Sequence, residues 1–250
     1  MSTSRTARER ARAELITEIK ASARTQLAHV GPEGLSLRAV ARDLGMVSSA
    51  LYRYFPNRDA LLTALITDAY ETIGAAAEQA VHNHTQPWQQ WHAGCRAVRD
   101  WATANPREYA LIYGSPVPGY EAPQDTVPPA SRVALALLEP VRRGYTHNAL
   151  SETATVDNGL GPPLDSPPLG TTLAGQLREL TRQLRTTSPH PAQPLPEPLM
   201  ARVLIAWTQL FGMVSFELFG HLVGSVDPSD DFFEYAVTQM AWFIGLAPSS

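Results

Sequence analysis

The chain has 250 residues, of which 44% are hydrophobic and 18% are charged. This composition is typical of a soluble globular protein with a sizeable core, so we exclude wholesale disorder. No run approaches ~18 uninterrupted apolar residues, and the polar N-terminus lacks the apolar stretch of a secretion signal. We therefore predict a cytoplasmic chain without a membrane span. The single cysteine, Cys95, excludes an intrachain disulfide and a cysteine-based zinc site.

The formal net charge of −4 is distributed unevenly along the chain. Residues 1–60 carry ten basic and six acidic side chains, and the remainder carries ten basic and eighteen acidic ones. A positive N-terminal quarter favours a polyanionic partner at that end. An excess of this size also arises by chance, so the charge alone leaves both interpretations open.

Proline positions divide the chain into predicted elements. Only three of the 21 prolines precede residue 100, whereas fifteen lie between residues 116 and 198. Proline breaks helix interiors, and the apolar residues between the breaks recur at helical spacing. We therefore predict an all-α chain of about nine helices without strands. The predicted helices are 5–30, two short helices within 36–55, 58–82, 88–104, 131–145, 171–187, 199–223 and 229–246.

Segments rich in proline and glycine predict the connections between the helices. We predict loops at 114–130 and 146–170, and an extended segment at 188–198. The change in character after the first quarter of the chain predicts two domains. The predicted domains are residues 1–58 and 59–250.

Known catalytic and cofactor-binding patterns are missing from the sequence. We find no nucleophile elbow, phosphate-binding loop, dinucleotide fingerprint or zinc-protease motif. We therefore predict no enzymatic activity, no catalytic residue, no cofactor and no metal site. The acidic pair Asp230-Asp231 is predicted to be solvated.

The most informative signals predict two short helices joined by a tight turn. Ser36 stands where its hydroxyl would cap the first helix, and Gly45 stands where a glycine ends a helix in the left-handed conformation. Ser48 or Ser49 is predicted to cap the second helix, and Asn57 to cap the long helix that follows. A helix, a glycine turn and a second helix form the layout of a helix-turn-helix.

In that layout the second helix enters the major groove of DNA and presents its N-terminal side chains to the bases. The hydroxyls of Ser48 and Ser49 suit base edges, and Ala50 suits a thymine methyl. Nearby phenol and guanidinium groups suit backbone phosphates. The residues alone leave open that the serines are only caps and the aromatic residues only core. The predicted DNA-binding residues are Ser36, Arg38, Ser48, Ser49, Ala50, Tyr52, Arg53, Tyr54 and Arg58.

Residues 36–62 closely resemble the helix-turn-helix of the TetR/AcrR family of transcriptional regulators. Arg58 stands where lysine is commoner in that family, and arginine keeps the charge. Residues 105–120 look like a segment common in actinobacterial members. Residues 207–220 are similar to a WHG-type C-terminal signature, with Phe211 in place of its histidine. The helix-turn-helix resemblance lies in Leu37, Val40, Ala41, Gly45, Ser48, residues 51–55, Arg58, Leu61 and Leu62.

The resemblance implies a homodimeric, sequence-specific DNA-binding regulator, most simply a repressor of an inverted-repeat operator. Its C-terminal helices would bind a small lipophilic or aromatic effector that changes the spacing of the two DNA-reading heads. Two C-terminal helices are apolar around most of their circumference, which favours burial on two sides, either between the domain core and a partner subunit or wholly within a monomer. The candidate pocket residues are Trp91, Cys95, Trp101, Tyr109, Tyr113, Trp207 and Phe211. The candidate dimer-interface residues are Leu204, Phe216, Phe219, Phe232, Phe233 and Trp242.

A protein of another class fits the same sequence pattern. It is a helical small-molecule-binding or scaffolding protein with the same fold and no operator binding. Such a protein would tolerate Tyr52→Ala and Arg58→Ala, whereas a DNA-binding regulator would lose affinity for every DNA sequence when Arg58 is replaced.

Overall fold

A computed structural model of the chain describes residues 7–146, 150, 169–187, 194–226 and 229–248. These residues form ten α-helices and one 3₁₀-helix, Gln124–Thr126, and no β-strand occurs among them. The all-α prediction is confirmed. Most of the predicted loop at 146–170 lies outside the described residues. The helices are α1 (Ala7–Val30), α2 (Leu37–Asp43), α3 (Ser48–Leu51), α4 (Arg58–His82), α5 (Pro87–Ala104), α6 (Pro106–Tyr113), α7 (Val127–Thr146), α8 (Thr171–Thr187), α9 (Glu197–Leu218) and α10 (Asp230–Phe243).

The chain divides into two compact units. The head unit comprises Met1–Tyr70 and Asn105–Val127, and the body unit comprises Glu71–Ala104 and Pro128–Ser250. The predicted domain boundary at residue 58 remains a prediction, because compactness alone does not define a functional domain.

The head unit is built around an apolar core to which α1, α2, α3 and α4 all contribute. Their apolar residues recur at helical spacing and face one another, so each short helix is held by burial rather than by its own propensity. Lys20 and Arg24 both pair with Asp68 at 2.7 Å, which joins α1 to α4. The buried core residues are Ile19, Ala23, Leu35, Leu37, Val40, Ala41, Leu51, Phe55, Leu61, Leu62, Leu65 and Ile66.

Helix α6 was not predicted from the sequence. Asn105-Pro106 ends α5 as expected, but Pro106 then occupies the first turn of α6. A proline is favourable there because the first amides of a helix have no intrahelical partner and its fixed φ suits the helix. Leu111 and Ile112 of α6 pack against the head core.

The predicted loop at 114–130 is too long by four residues. Helix α7 begins at Val127, so Pro128 and Pro129 belong to its first turn. The reason is the same as for α6, since early prolines start a helix as readily as interior ones break it.

An ion-pair network joins α5, α9 and the start of α10 in the body unit. The Arg99 side chain is 10% exposed and donates two hydrogen bonds to the Glu217 carboxylate, at 2.6 and 2.8 Å. It also donates to Asp230 at 2.6 Å and to Ser229 at 3.2 Å, and its guanidinium lies 4.7 Å from the centre of the Phe233 ring. Asp230 is exposed, as predicted, but it is also paired rather than merely solvated.

Two features of the described residues bear on function. One helix, Glu197–Leu218, is long and apolar enough to cross a membrane, and 33% of its most apolar window is buried within the chain. This is weak evidence for a membrane span, because core helices of soluble proteins pass the same test. No group of three His, Cys, Asp or Glu side chains within the described residues is placed to hold a metal ion.

Candidate nucleic-acid interface

The turn between α2 and α3 depends on Gly45. Its φ is +65°, in the left-handed region that other residues adopt only with strain. The Gly45 amide donates to the Arg42 carbonyl at 3.1 Å, and the Met46 amide donates to the Ala41 carbonyl at 2.8 Å. These two bonds form a Schellman motif, so the predicted left-handed glycine is confirmed and the direction of α3 is fixed by backbone geometry.

The predicted serine caps differ from the observed helix starts. Ser36 occupies the N-cap position of α2, but its side chain makes no capping hydrogen bond. Val47 is the N-cap of α3, so Ser48 and Ser49 are its first two residues rather than caps. The extended backbone of Val47 already sets the start of α3, which leaves the serine hydroxyls in the first turn. The predicted Asn57 cap is confirmed, since its Oδ1 accepts from the Ala60 amide at 2.7 Å.

Helix α3 and the residues directly after it, 52–55, have one buried side and one exposed side. Leu51 and Phe55 are 0% and 7% exposed and belong to the head core. Ser49 and Arg53 are exposed, and Tyr52 is 43% exposed. The exposed side therefore presents hydroxyl, phenol and guanidinium groups, which suit both base edges and phosphates. Ser48, Ala50 and Tyr54 are half-buried.

Arg58 has a structural contact that the sequence did not predict. Its Nη2 donates to the Pro32 carbonyl at 2.7 Å, and its Nη1 lies 3.3 Å from the Asp59 carboxylate. Its Nε is buried without a hydrogen-bond partner among the described residues. Arg58 therefore fastens the start of α4 to the turn after α1. Residues 35–38, Tyr52 and residues 56–58 line an open groove of about 320 Å³ beside it, which includes Ser36 and Arg38.

Five candidate pocket residues lie in the body unit. Trp91 is 1% exposed, and its indole donates to the Val237 carbonyl at 3.2 Å. Cys95 is fully buried, and burial raises the pKa of its thiol well above the ordinary value. The rings of Trp207 and Phe211 meet edge to face at 5.3 Å, and the Trp207 Nε1 is buried without a partner among the described residues. Trp101 is half-buried.

The other two candidate pocket residues, Tyr109 and Tyr113, lie in the head unit. Their ring centres are 5.1 Å apart, and the Tyr70 ring meets Tyr113 edge to face at 6.0 Å. Tyr109 is fully buried, and burial raises the pKa of Tyr113. The pKa of Tyr70 is also raised by burial, and its hydroxyl donates to the Ile112 carbonyl at 3.2 Å.

The candidate dimer-interface residues fall into exposed, half-buried and buried groups. Phe216, Phe219 and Phe232 are 55%, 48% and 38% exposed. Leu204 and Trp242 are half-buried, and the Trp242 ring lies 6.2 Å from that of Trp88. Phe233 is 1% exposed beneath Arg99, so it lies in the core of the body unit rather than on an exposed face.

Sequence reasoning missed several residues near these sites. Ile205 and Tyr235 are 52% and 63% exposed on α9 and α10, and helical spacing from Phe216 and Phe232 places them on the same faces. Arg12 lies over the Tyr54 ring, 5.2 Å from its centre, and the arginine spacing along α1 does not by itself predict this contact. The Arg99–Glu217 pair joins residues 118 positions apart, and no local sequence signal reports it.

Comparison with known protein families adds two matches. Residues 19–65 match the family described as bacterial regulatory proteins, tetR family, and residues 91–240 match tetracyclin repressor-like C-terminal domains. Two HTH-type transcriptional regulators, Rv1816 of Mycobacterium tuberculosis (strain ATCC 25618 / H37Rv) and Mb1846 of Mycobacterium bovis (strain ATCC BAA-935 / AF2122/97), are each 36% identical over 218 residues. Each alignment covers 85% of this chain and 84% of the relative.

Two solved structures share the fold of this chain. The crystal structure of the regulatory protein SCO4313 matches with a TM-score of 0.73 and 31% identity, covering 94% of this chain and 98% of that one. A TetR family transcription regulator from Marinobacter aquaeolei VT8 shares the fold with a TM-score of 0.57 and 16% identity, covering 95% and 97% of the two chains.

Proposed function

Because this chain belongs to the TetR family and is a DNA-binding transcriptional regulator, not an enzyme, we propose that it is a homodimeric, cytoplasmic repressor. It binds an inverted-repeat operator through two copies of the helix-turn-helix, and a small lipophilic or aromatic effector releases it. The observation that carries the proposal is the exposed side of α3, which the Gly45 turn orients and the head core holds in place.

The proposed base contacts come from the first turn of α3. Ser48 and Ser49 directly follow Val47, the N-cap residue of α3, and no side chain makes a capping hydrogen bond at this helix start. A recognition helix presents its N-terminal residues to base edges, where a hydroxyl can donate or accept and the Ala50 methyl can contact thymine. We assign sequence choice to these three residues.

The proposed phosphate contacts surround that turn. Arg38 and Arg53 are exposed, and Tyr52, the C-cap of α3, lines the open groove that Ser36 also lines. Tyr54 and Arg58 complete the set. Arg58 is 30% exposed while it also holds the Pro32 carbonyl, so its assigned role combines fastening α4 with adding positive charge at this face.

Paired substitutions separate the two kinds of contact. Arg53→Gln should weaken binding to all duplexes alike and lower the slope of log affinity against log salt by about 0.9 for each lost contact. Ser49→Ala should leave that slope unchanged and alter the selected sequence. Binding of labelled duplexes measured by fluorescence anisotropy at several salt concentrations distinguishes them. An unchanged salt slope in Arg53→Gln would contradict the assigned phosphate contact.

The proposed dimer interface is the exposed apolar face of α9 and α10. Ile205 and Phe216 lie at helical spacing on α9, Phe219 is its C-cap, and Phe232 and Tyr235 lie at helical spacing on α10. An exposed apolar face of this kind is uncommon on a monomer and is a favourable surface for a second copy. Leu204 and Trp242 stand at its edges, and the buried Phe233 supports it from within.

Sedimentation velocity tests this interface. Phe216→Glu places a charge in the middle of the proposed contact and should convert dimer to monomer. Val223→Glu is the matched control, because Val223 is 74% exposed in the turn after α9. A Phe216→Glu variant that remains dimeric at micromolar concentration would refute the assigned interface.

The proposed effector contacts are the aromatic residues of the body unit, with Trp207 as the polar anchor. Its buried indole N–H has no partner among the described residues, and an unsatisfied buried donor favours a ligand with an acceptor group. Phe211 packs against its ring, which favours a flat or lipophilic molecule. Trp91, Cys95 and Trp101 of the body unit are assigned as further candidates for this pocket.

A conservative pair of variants tests the anchor. Trp207→Phe keeps an aromatic ring but removes the N–H, so it should weaken operator release by an effector and leave operator affinity unchanged. Trp88→Phe is the control, because Trp88 packs against His92 in the same unit. Equal effector sensitivity in both variants would contradict the role of the indole.

A further inference from the structure

The first turns of α1 extend beyond the head core. The first buried residue of α1 is Ile19, and residues 7–14 are exposed throughout. At ~1.5 Å per residue, these two turns span roughly 12 Å of helix that no apolar contact within the head unit accounts for.

Arginines continue the buried stripe of α1 into this exposed part. Successive residues are about 100° apart around a helix, so Arg8 and Arg12 lie on the same side as Ile19 and Ala23. Glu14 lies about 120° or more from both arginines around the axis, whereas Glu9 lies about 100° from Arg8 and about 60° from Arg12. The side of α1 that is apolar against the core thus becomes positively charged where the core ends.

A contact in the head unit shows which way this charged side points. The Arg12 guanidinium lies over the Tyr54 ring, 5.2 Å from its centre. Tyr54 lies three residues after the end of α3 and is one of the residues assigned to phosphate contact. A guanidinium that lies over an aromatic ring can still donate hydrogen bonds through the N–H groups at its edge.

The two arginines do not by themselves stabilise the start of the helix. Two like charges at i and i+4 repel, and positive side chains in the first turns oppose the helix dipole. An anionic partner relieves both effects, and a planar guanidinium matches phosphate oxygens with two parallel hydrogen bonds.

We propose that Arg8 and Arg12 form an accessory phosphate-binding site on α1, which contacts the DNA backbone flanking each half-site. The inference rests on the proposed operator binding and adds to it a footprint that is wider than the helix-turn-helix alone provides. The ligand is duplex DNA, recognised through backbone phosphate rather than base sequence.

Charge-matched variants on opposite sides of α1 test the site in the full-length protein. Arg8→Gln removes one contact per subunit, whereas Arg10→Gln removes the same charge from an exposed position about 160° away around the helix. Both are measured on a selected operator within a 40-base-pair duplex and on the same operator trimmed to its two half-sites.

On the long duplex, Arg8→Gln should weaken dimer binding roughly 30-fold at about 0.15 M salt, from the release of counterions at two phosphates, and lower the salt slope by about 1.8. On the trimmed duplex it should equal the wild type, and Arg10→Gln should stay within about twofold of the wild type on both. Equal effects of Arg8→Gln and Arg10→Gln on the long duplex would overturn this inference alone. A wild-type protein without sequence-selective binding would overturn the proposed operator binding, and this inference with it.

Discussion

Replacing Arg99 with methionine tests how the body unit is held together. The Arg99 and Glu217 side chains are 10% and 19% exposed and share two short hydrogen bonds. Methionine keeps most of the length but leaves the Glu217 carboxylate without its partner, and breaking a buried pair costs about 3–5 kcal/mol. Asp230 is 73% exposed, so its pairing adds no more than about 1 kcal/mol. Because neither carboxylate is fully desolvated, we expect the free energy of unfolding to fall by about 3 kcal/mol.

Urea unfolding followed by tryptophan fluorescence measures this loss. Protein concentration and salt are held fixed, because the stability of a dimer depends on its concentration. Arg96→Met is the matched control on the same helix, since its partner is Glu234 and their side chains are 51% and 43% exposed. That change should cost less than about 1 kcal/mol. Equal losses in the two variants would refute the reasoning that burial makes the Arg99 network important.

Three further predictions follow from single groups. Hydrogen bonds from Arg99 lower the pKa of Glu217. The Glu217 carboxylate therefore stabilises the fold above the ordinary glutamate pKa of ~4.3, and this stabilisation is lost as pH falls through the lower folded-state pKa. Glu217→Gln should flatten the acid limb of a curve of unfolding free energy against pH, and an unchanged limb would contradict this prediction. Burial raises the pKa of Cys95, so a thiol reagent at pH 7 should label it only on unfolding, and rapid labelling of the native protein would count against this. Gly45→Ala should lower the free energy of unfolding, measured by chemical denaturation, by about 1 kcal/mol. A Cβ at this position meets nothing within 4 Å, so the loss comes only from the strain of a positive φ in alanine. An unchanged free energy of unfolding would argue against that conformation.

Local signals made the head unit predictable. A glycine eight residues after the first residue of α2 and an asparagine just before α4 each act within a few residues of themselves, so their roles can be seen in the sequence. The predicted capping role of Ser48 or Ser49 was wrong, because both capping and base contact favour a small hydroxyl residue at a helix start. Only the backbone geometry assigns the N-cap of α3 to Val47.

The body unit was less predictable because its important contacts are distant in sequence. Helices α9 and α10 are apolar on several sides, so the sequence could not distinguish the buried Phe233 from the exposed neighbouring Phe232. Pro106 and Pro128 were each compatible with the end of one helix or the start of another, and the sequence alone did not decide between the two. The partner of Arg99 lies on another helix, and periodicity within one helix carries no information about it.

Selection of bound duplexes from a random DNA pool, at two salt concentrations, tests the central claim most directly. The account predicts an enriched inverted repeat whose half-sites are centred ~34–36 Å apart or a multiple of that spacing, with affinity that falls steeply as salt rises. Enrichment that Ser48→Ala or Ser49→Ala shifts to other bases would assign the reading to α3. Binding without any preferred sequence at either salt concentration would contradict the account.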